Sequence, residues 1–432
     1  LVGHQRVALV TWDWDALKWA APAYSDEKGL LPFLLAQNGL LVEQQTYDGF
    51  TIDIYELASD LAFDSMPDRM HASEAAFGDG SLTLSGYVHG EAALSDEPLW
   101  LALQWQASTP PGRDLKAAVT LVDPAGHVIV QDDQLLRNAA GESSVSWPAD
   151  ASGLDVRQLE LPPGTSPGEY WLHVAVYDAR TQERLPVALG DRASARVAIA
   201  GPVTLGPPAV ERQVVPAPQT PLTTVVGSPA SLLLAGYDPP PAQVRPGDTL
   251  TLTSYWQALQ DTPSAPGIQI QLIDPASGTT VQSQAIALGG DYPTSRWSAG
   301  QYVTDRSDVA LNRNLRSGAY SVQLAIDGGD GAVQRVGLGN VDVAGWPRQF
   351  DPPTVAQQAD VGFGDEMQLV GYTVGPAVIG QPLSVTLCWR ALTAMDTSFV
   401  TFVHLLDADG ALRSQNDAVP GQGAYPTTGW LP

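Results

Sequence analysis

A Gly-Tyr pair, a Trp and an Asp-led turn follow one another three times in this sequence, at almost constant spacing. Gly86-Tyr87 leads to Trp105 and Asp123, Gly236-Tyr237 to Trp256 and Asp274, and Gly371-Tyr372 to Trp389 and Asp407. The step from Trp to Asp is 18 residues each time (105 to 123, 256 to 274, 389 to 407). A second Trp stands 24, 23 and 23 residues beyond the Asp, at 147, 297 and 430. Self-similarity on this scale means one domain present three times, so function is to be sought in an array of modules. In the first two copies a Gly-x-Tyr strand start follows the second Trp by 23 residues, at Tyr170 and Tyr320. No counterpart occurs in the third copy before Pro432, so the chain is expected to be a fragment with its last module truncated.

The pattern around each motif is that of strands. Leu99, Leu101, Leu103 and Trp105 share one parity, as do Leu250, Leu252 and Trp256, and Leu383, Val385, Leu387 and Trp389. Period-two alternation marks a strand with one buried face, and it puts Trp105, Trp256 and Trp389 on the core side. Asp123-Pro-Ala-Gly, Asp274-Pro-Ala-Ser-Gly and Asp407-Ala-Asp-Gly read as Asp-led turns, and Pro162-Pro-Gly opens a further strand over Trp171–Tyr177. Many short strands set off by such turns predict a mainly β chain of tandem immunoglobulin-like or jelly-roll-like antiparallel β-sandwiches.

Residues 1–57 read differently. Val7–Thr11 fits a buried strand, a helix is expected around Leu30–Gln37 ending at Asn38-Gly39, and Asp48-Gly49 joins extended runs over Leu40–Thr46 and Phe50–Leu57. That order predicts a small α/β remnant of a truncated domain. The expected division is 1–57 remnant, 58–76 linker, 77–201 first sandwich, 202–229 Pro-rich linker, 230–345 second sandwich, 346–360 linker and 361–432 third, truncated sandwich.

The formal charge is −25, from 22 basic and 47 acidic residues, which disfavours nucleic acid and anionic membrane surfaces as partners. A single cysteine, Cys388, allows no intrachain disulfide, and no apolar run reaches the roughly 18 residues of a membrane helix. Catalytic signatures are scarce. The six histidines (4, 71, 89, 127, 173, 404) have no zinc spacing, and neither a Gly-x-Ser-x-Gly elbow nor a phosphate loop occurs, so no catalytic residue, metal or cofactor is expected. Cys388 aligns with Gln104 and Tyr255 opposite the core Trp and reads as an incidental, partly exposed thiol. Asp79, Asp365, Asp123, Asp274 and Asp407 sit in turns, where carboxylates satisfy local N–H groups. The loop Asp291-Tyr-Pro-Thr-Ser-Arg-Trp297, echoed by Ala424-Tyr-Pro-Thr-Thr-Gly-Trp430, has two readings. Tyr292, Arg296, Trp297, Tyr425 and Trp430 are candidate glycan-binding residues, or the aromatics plug the end of each sandwich.

Phe-Gly-Asp (77–79, 363–365), Arg-Pro-Gly-Asp (245–248), Tyr-Trp-Gln-Ala (255–258), Phe-Val-His-Leu-Leu-Asp (402–407) and Tyr-Pro-Thr-x-x-Trp together resemble a known set of modules. These are the C-terminal modules of bacterial membrane glycosyltransferases that use polyprenyl-phosphate sugars, the mannosyltransferase/aminoarabinose-transferase family, as in Chloroflexi-like genomes. Residues 1–57 resemble the α/β segment that ends the extracytoplasmic part of those enzymes. The resemblance implies a non-catalytic accessory region at the extracytoplasmic face, anchored through a missing N-terminal part. It also implies a glycan or lipid-linked sugar as partner through the parent enzyme. The alternative is a surface carbohydrate-binding or adhesion array. The family's catalytic acids lie upstream of anything present here. The first copy departs from the pattern, with Leu-Gln-Trp-Gln-Ala at 103–107 and no Tyr-Pro-Thr.

Overall fold

A computed structural model describes residues 5–12, 31, 35, 39–57, 70–90, 95, 97–138, 142–189, 192–195, 198–208, 210, 213–329, 331–346, 348–378 and 380–432. The chain divides into two compact units, Leu1–Pro216 and Ala217–Pro432.

The first unit opens with β1 (Arg6–Trp12), β2 (Gly39–Tyr47) and β3 (Phe50–Leu57), an antiparallel sheet in the order β1-β3-β2. Asp48-Gly49 turns the β2–β3 hairpin, with Gly49 at φ 86°. Leu31 and Leu35 have helical backbone, and the rest of the helix expected there lies outside the described residues. Leu35, Tyr55 and Leu57 are buried together, with Val7 and Leu9 packed against them.

The first sandwich follows. Its strands are β4 (His71–Phe77), β5 (Leu82–His89), β6 (Leu99–Ala107), β7 (Leu115–Val122), β8 (Val128–Leu135), β9 (Ala151–Leu159), β10 (Gly168–Asp178), β11 (Val187–Leu189), β12 (Arg192–Ala195) and β13 (Ala198–Leu205). They form two sheets, β12-β11-β4-β5-β6-β9 and β13-β10-β7-β8. The β7–β8 hairpin thus leaves the first sheet before β9 returns to pair with β6, a Greek-key crossing of the immunoglobulin type.

The second unit repeats the plan with β14 (Thr220–Val226), β15 (Leu232–Asp238), β16 (Gln243–Val244), β17 (Thr249–Ala258), β18 (Gly267–Asp274), β19 (Thr279–Ile286), β20 (Tyr302–Ala310), β21 (Gly318–Asp327) and β22 (Val333–Val343). The sheets are β14-β15-β17-β20 and β16-β22-β21-β18-β19. The third module has β23 (Gln357–Phe363), β24 (Met367–Val374), β25 (Val385–Ala391), β26 (Thr401–Leu406) and β27 (Leu412–Ala418), as sheets β23-β24-β25 and β26-β27. The protein is therefore a tandem array of antiparallel β-sandwich modules.

Each closed sandwich buries its repeat tryptophan. Trp105 and Trp256 are both fully inaccessible at the centre of separate cores. The Gly of each Gly-Tyr pair has a specific task. The ladders slip at Leu84/Gly86, Leu234/Gly236 and Leu369/Gly371, so each glycine marks a β-bulge. A Cβ on Gly236 would lie 2.6 Å from the Thr220 carbonyl oxygen, and one on Gly371 would lie 2.7 Å from that of Gln357.

Three expected linkers contribute strands. β4 begins within 58–76, β14 lies within 202–229 (where β13 also ends), and β23 begins within 346–360. Each of these strands pairs with the Gly-Tyr strand, yet its sequence lacks an apolar alternation, and β14 carries Pro221. Ala75 and Phe77 of β4 and Val226 of β14 do enter the cores, but each strand has too few alternating apolar positions for the pattern to announce it.

Two further expectations are corrected in the third module. Trp389 is half-buried rather than a sealed core residue, and Cys388 is buried rather than partly exposed. The reason for the second is local: Cys388 shares a cleft with Arg348–Pro353, which lies over that side of the sheet. Burial pushes its thiol above the ordinary range, offset in part by Arg390.

Candidate functional site

The second Trp of each repeat closes a turn of the same design. Ser144–Ser146, Thr294–Arg296 and Thr427–Gly429 each form one 3-10 turn that ends on Trp147, Trp297 or Trp430. The indole N–H then reaches back five residues, from Trp147 to the Glu142 oxygen (3.0 Å), from Trp297 to Tyr292 (2.8 Å) and from Trp430 to Tyr425 (3.3 Å). A short hydroxyl side chain opens each turn and is buried: Ser144, Thr294 and Thr427. Ser144 Oγ accepts from the Leu115 N–H at 2.7 Å and donates to the Arg113 oxygen at 3.0 Å. Thr427 Oγ1 does the same with the Phe399 N–H (3.0 Å) and the Thr397 oxygen (2.7 Å). These loops are plugs that stitch the turn to a neighbouring strand.

Of the two readings of this loop, the glycan platform has no exposed face at Tyr292 and Trp297, which are only 4% and 1% exposed. Tyr292 donates its hydroxyl to the Arg296 oxygen at 2.9 Å, and the Arg296 guanidinium lies 5.1 Å from the Tyr292 ring centre. Of that trio only Arg296 is exposed. An indole sealed in the core has no face left for a sugar ring. Trp430 is 9% exposed and Tyr425 half-buried. These two do meet, edge to face at 6.0 Å.

Tyr425 has a second neighbour, and it defines a joint within the second unit. Trp346, just beyond β22, stacks on Tyr425 at 4.8 Å and 19°. Its indole N–H donates to the Pro246 oxygen at 2.7 Å, and the Arg245 guanidinium sits 4.3 Å over the ring. Arg313, after β20, donates to the oxygens of Thr428 (2.9 Å) and Met395 (2.5 Å) and to the Asp396 carboxylate (2.6 Å). Arg348 donates back to the Arg313 oxygen at 2.6 Å. Gly429 is required here, because a Cβ would stand 2.5 Å from the Trp346 ring. The plug of the third module is thus the surface on which the end of the second module rests. Arginine suits it, since a planar fork can hold several carbonyl oxygens at once.

Four of the five turn aspartates, all but Asp365, accept from local N–H groups. Asp79 accepts from the Ser81 N–H (3.0 Å), Asp123 from His127 (2.8 Å), Asp274 from Ala276 (2.9 Å) and Asp407 from Ala411 (2.8 Å). Asp407 also accepts from Arg413 at 2.8 Å. These donors hold the Asp79, Asp274 and Asp407 carboxyls below the usual range, led by the Ser81 and Ser277 side chains for the first two and by the Ala411 N–H for the third. No group of three metal-binding side chains occurs among the described residues.

Sequence reasoning missed several polar residues of the interior. Tyr170 and Tyr320 donate their hydroxyls to the carbonyls four residues back, Ser166 (2.6 Å) and Arg316 (3.0 Å), which is the tyrosine corner of immunoglobulin-type sandwiches. The Gly-x-Tyr spacing carried that signal. Asp155 and Asp305 are both buried, eight residues beyond the plug Trp. Asp305 accepts from the Gly289 N–H (2.8 Å) and Ser307 (2.7 Å), tying β20 to the plug. Asp155 takes both forks of the fully buried Arg157, which also reaches the Asp132 oxygen on the opposite sheet at 3.0 Å. An inward-facing Asp in an apolar alternation was the readable clue. Tyr177 bonds the Asp133 carboxylate, and burial together with that contact pushes its hydroxyl up to about 12. Every one of these groups is matched by a partner inside the sandwich, so they serve as ties between sheets and turns.

No protein-family model matches the chain, and no curated protein matches it. Among solved structures it is similar to the FN1–FN3 domains of chicken CNTN1, at 10% identity and TM-score 0.17, over 77% of this chain and 83% of that one. It is likewise similar to a marsupial T cell receptor, at 12% identity and TM-score 0.17, over 78% of this chain and 87% of that one.

Proposed function

We propose that this chain is a non-catalytic positioning array, the extracytoplasmic accessory region of a membrane glycosyltransferase that takes sugar from a polyprenyl-phosphate donor. The observation that carries the positioning role is the joint of Trp346, Tyr425, Arg313 and Gly429, which spends the plug of one module on contact with the module before it. The attribution to a transferase rests on the motifs of the sequence, foremost Tyr-Pro-Thr-x-x-Trp and Arg-Pro-Gly-Asp. A spacer needs stiffness, and the joint supplies it between the second and third modules. A carbohydrate-binding array would need aromatic faces that Tyr292 and Trp297 do not offer.

Two measurements test the two halves separately. Spin labels placed on β19 and β27 of the whole chain should report one narrow distance, broadened in Trp346→Ala. A broad distribution already present in the wild type removes the positioning role. For the transferase half, the gene's reading frame should encode several apolar segments of about 20 residues upstream. A secretion signal alone in that place removes it.

A further inference from the structure

β10 sends Tyr170, Leu172, Val174 and Val176 into the core of the first sandwich. Strand alternation then sets Trp171, His173, Ala175 and Tyr177 on the outer face of the same sheet. Three rings stand there in one column, roughly 20 Å from first to last. The next strand places Thr120 beside His173, Ala118 beside Ala175 and Lys116 beside Tyr177. β8 continues two of these rows, with Gln131 beside Thr120 and Asp133 beside Ala118. The two alanines are short and leave a shallow dip between His173 and Tyr177. Trp171 and His173 are partly exposed. Among the described residues neither ring makes a hydrogen bond, whereas the plug indoles each bond a carbonyl. Thr120 Oγ1 donates to Gln131 Oε1 at 3.4 Å, which leaves the Gln131 amide nitrogen its two donors. Tyr177 closes the far end, its hydroxyl engaged by the Asp133 carboxylate. The second sandwich has the same face without the rings. Counted from the corner tyrosines Tyr170 and Tyr320, the matching positions hold Ser321, Gln323, Ala325 and Asp327.

We propose that this outer face of the first sandwich binds a linear, uncharged glycan, with Trp171 as the platform for one sugar ring. A pyranose has an apolar face and a rim of hydroxyls. It therefore calls for an aromatic plane with donors and acceptors at its side, which Trp171, His173, Thr120 and Gln131 supply. Charge selects an uncharged ligand. Lys116 lies 3.9 Å from Asp133, so its charge is matched within the face. Burial pushes the His173 imidazole below its ordinary range, which keeps it neutral at neutral pH. The net charge of −25 repels acidic glycans. A peptide strand is the poorer occupant, because β7 and β10 are flanked on both sides and their backbone groups are spent inside the sheet. The site stands apart from the sealed plug aromatics, and it does not rest on the attribution to a transferase.

The test uses the whole chain with linear hexasaccharides of glucose and of mannose, and with a sulfated hexasaccharide as the charged control. Calorimetry should show saturable binding of at least one neutral chain and weaker binding of the sulfated one. Trp171→Ala should weaken the neutral ligand by about tenfold, and Trp171→Phe by less, since a ring remains. Thr120→Val keeps the shape of the side chain and should cost about threefold. The indole N–H signal of Trp171, identified by its loss in Trp171→Phe, should move on titration. Should Trp171→Ala fail to fold, Thr120→Val and the indole signal decide the matter. Failure of both neutral chains to bind overturns the proposal. So does binding that Trp171→Ala and Thr120→Val leave unchanged, an indole signal that stays still at saturation, or tighter binding of the sulfated chain.

Discussion

Leu272 and Leu405 hold the same place in the repeat, two residues before the turn Asp, yet the first is fully buried and the second is 47% exposed. Trp256 and Trp389 differ in the same direction, sealed against half-buried. Among the described residues, the second module has nine strands in two facing sheets, and the third, up to Pro432, has five, in sheets of three and two. Alternation along a strand therefore decides which face is meant for the core. Burial arrives only when the opposing sheet is wide enough to cover that face, because the hydrophobic gain scales with area actually removed from water. The joint and the plug are intact in the third module all the same. The turn bonds and the plug's indole bond to the residue five back span few positions, and both are present where the sheets are narrower.

The largest effect should come from the two tryptophans. Trp256→Ala empties a sealed site and should destabilise its sandwich by about 3–5 kcal/mol. Trp389→Ala removes an indole that water already reaches, and it should cost less than about half as much. Native-state amide exchange read separately on β17 and β25 measures both. Equal losses would break the comparison between closed and open modules.

Next come the bulge glycines. Gly236→Ala and Gly371→Ala each drive a Cβ into a backbone carbonyl, and strain of that kind costs about 1–3 kcal/mol. Gly86→Ala should be milder, because the nearest atom is the flexible Met70 Cε at 3.1 Å. Here closure should make no difference, with the third module losing as much of its own stability as the second. Thermal unfolding of the three variants gives the order.

How much of this was readable follows the range of each interaction. The Trp, Gly-Tyr and Asp motifs announced strands and turns because each is a local signal repeated three times. β4, β14 and β23 escaped because each carries too few alternating apolar residues to announce a strand, although Phe77 and Val226 end in the cores. Trp346 escaped for another reason. Its meaning depends on Pro246 and Tyr425, 100 and 79 positions away in sequence (346 − 246 and 425 − 346), and no pattern within a window joins them. The loop around Trp297 was half-legible: its composition allowed both a plug and a sugar platform, and burial selects the plug.

A smaller effect belongs to two tyrosine hydroxyls of the first and second modules. Tyr320→Phe and Tyr170→Phe keep the ring and lose the bond to the carbonyl four residues back, a change of about 0.5–1.5 kcal/mol. Alkali probes a second pair of hydroxyls. Burial, and the Asp238 carboxylate 2.8 Å away, push Tyr255 up to about 12, and Tyr177 is pushed up as far by burial and Asp133. A phenol raised in the folded state stabilises it below the unfolded value of about 10, and that contribution disappears as the pH climbs to the folded value. Phenolate absorbance should show Tyr177 and Tyr255 among the late-titrating tyrosines, with Tyr55 and Tyr425 also raised by burial, and Asp238→Asn should bring Tyr255 down. An unmoved titration would mean that burial alone holds Tyr255.

The smallest expected effect separates local from global order most cleanly. Asp274 and Asp407 lead the same turn in a closed and an open module, and both carboxyls are held below the usual range by nearby donors. The stabilisation each provides is fully present above the unfolded value near 3.9 and is lost as the pH falls through the lower folded value. Their donors all lie within six residues: Ala276 and Ser277 for one, Asp409, Ala411 and Arg413 for the other. Nothing in that set depends on an opposing sheet. Carboxyl titration by NMR should therefore find both below the usual value, although Leu272 and Leu405 beside them differ so widely in burial. An ordinary value at Asp407 with a depressed one at Asp274 would show that the turn itself needs the closed sandwich behind it. The boundary drawn between short-range chemistry and sheet closure would then be in the wrong place.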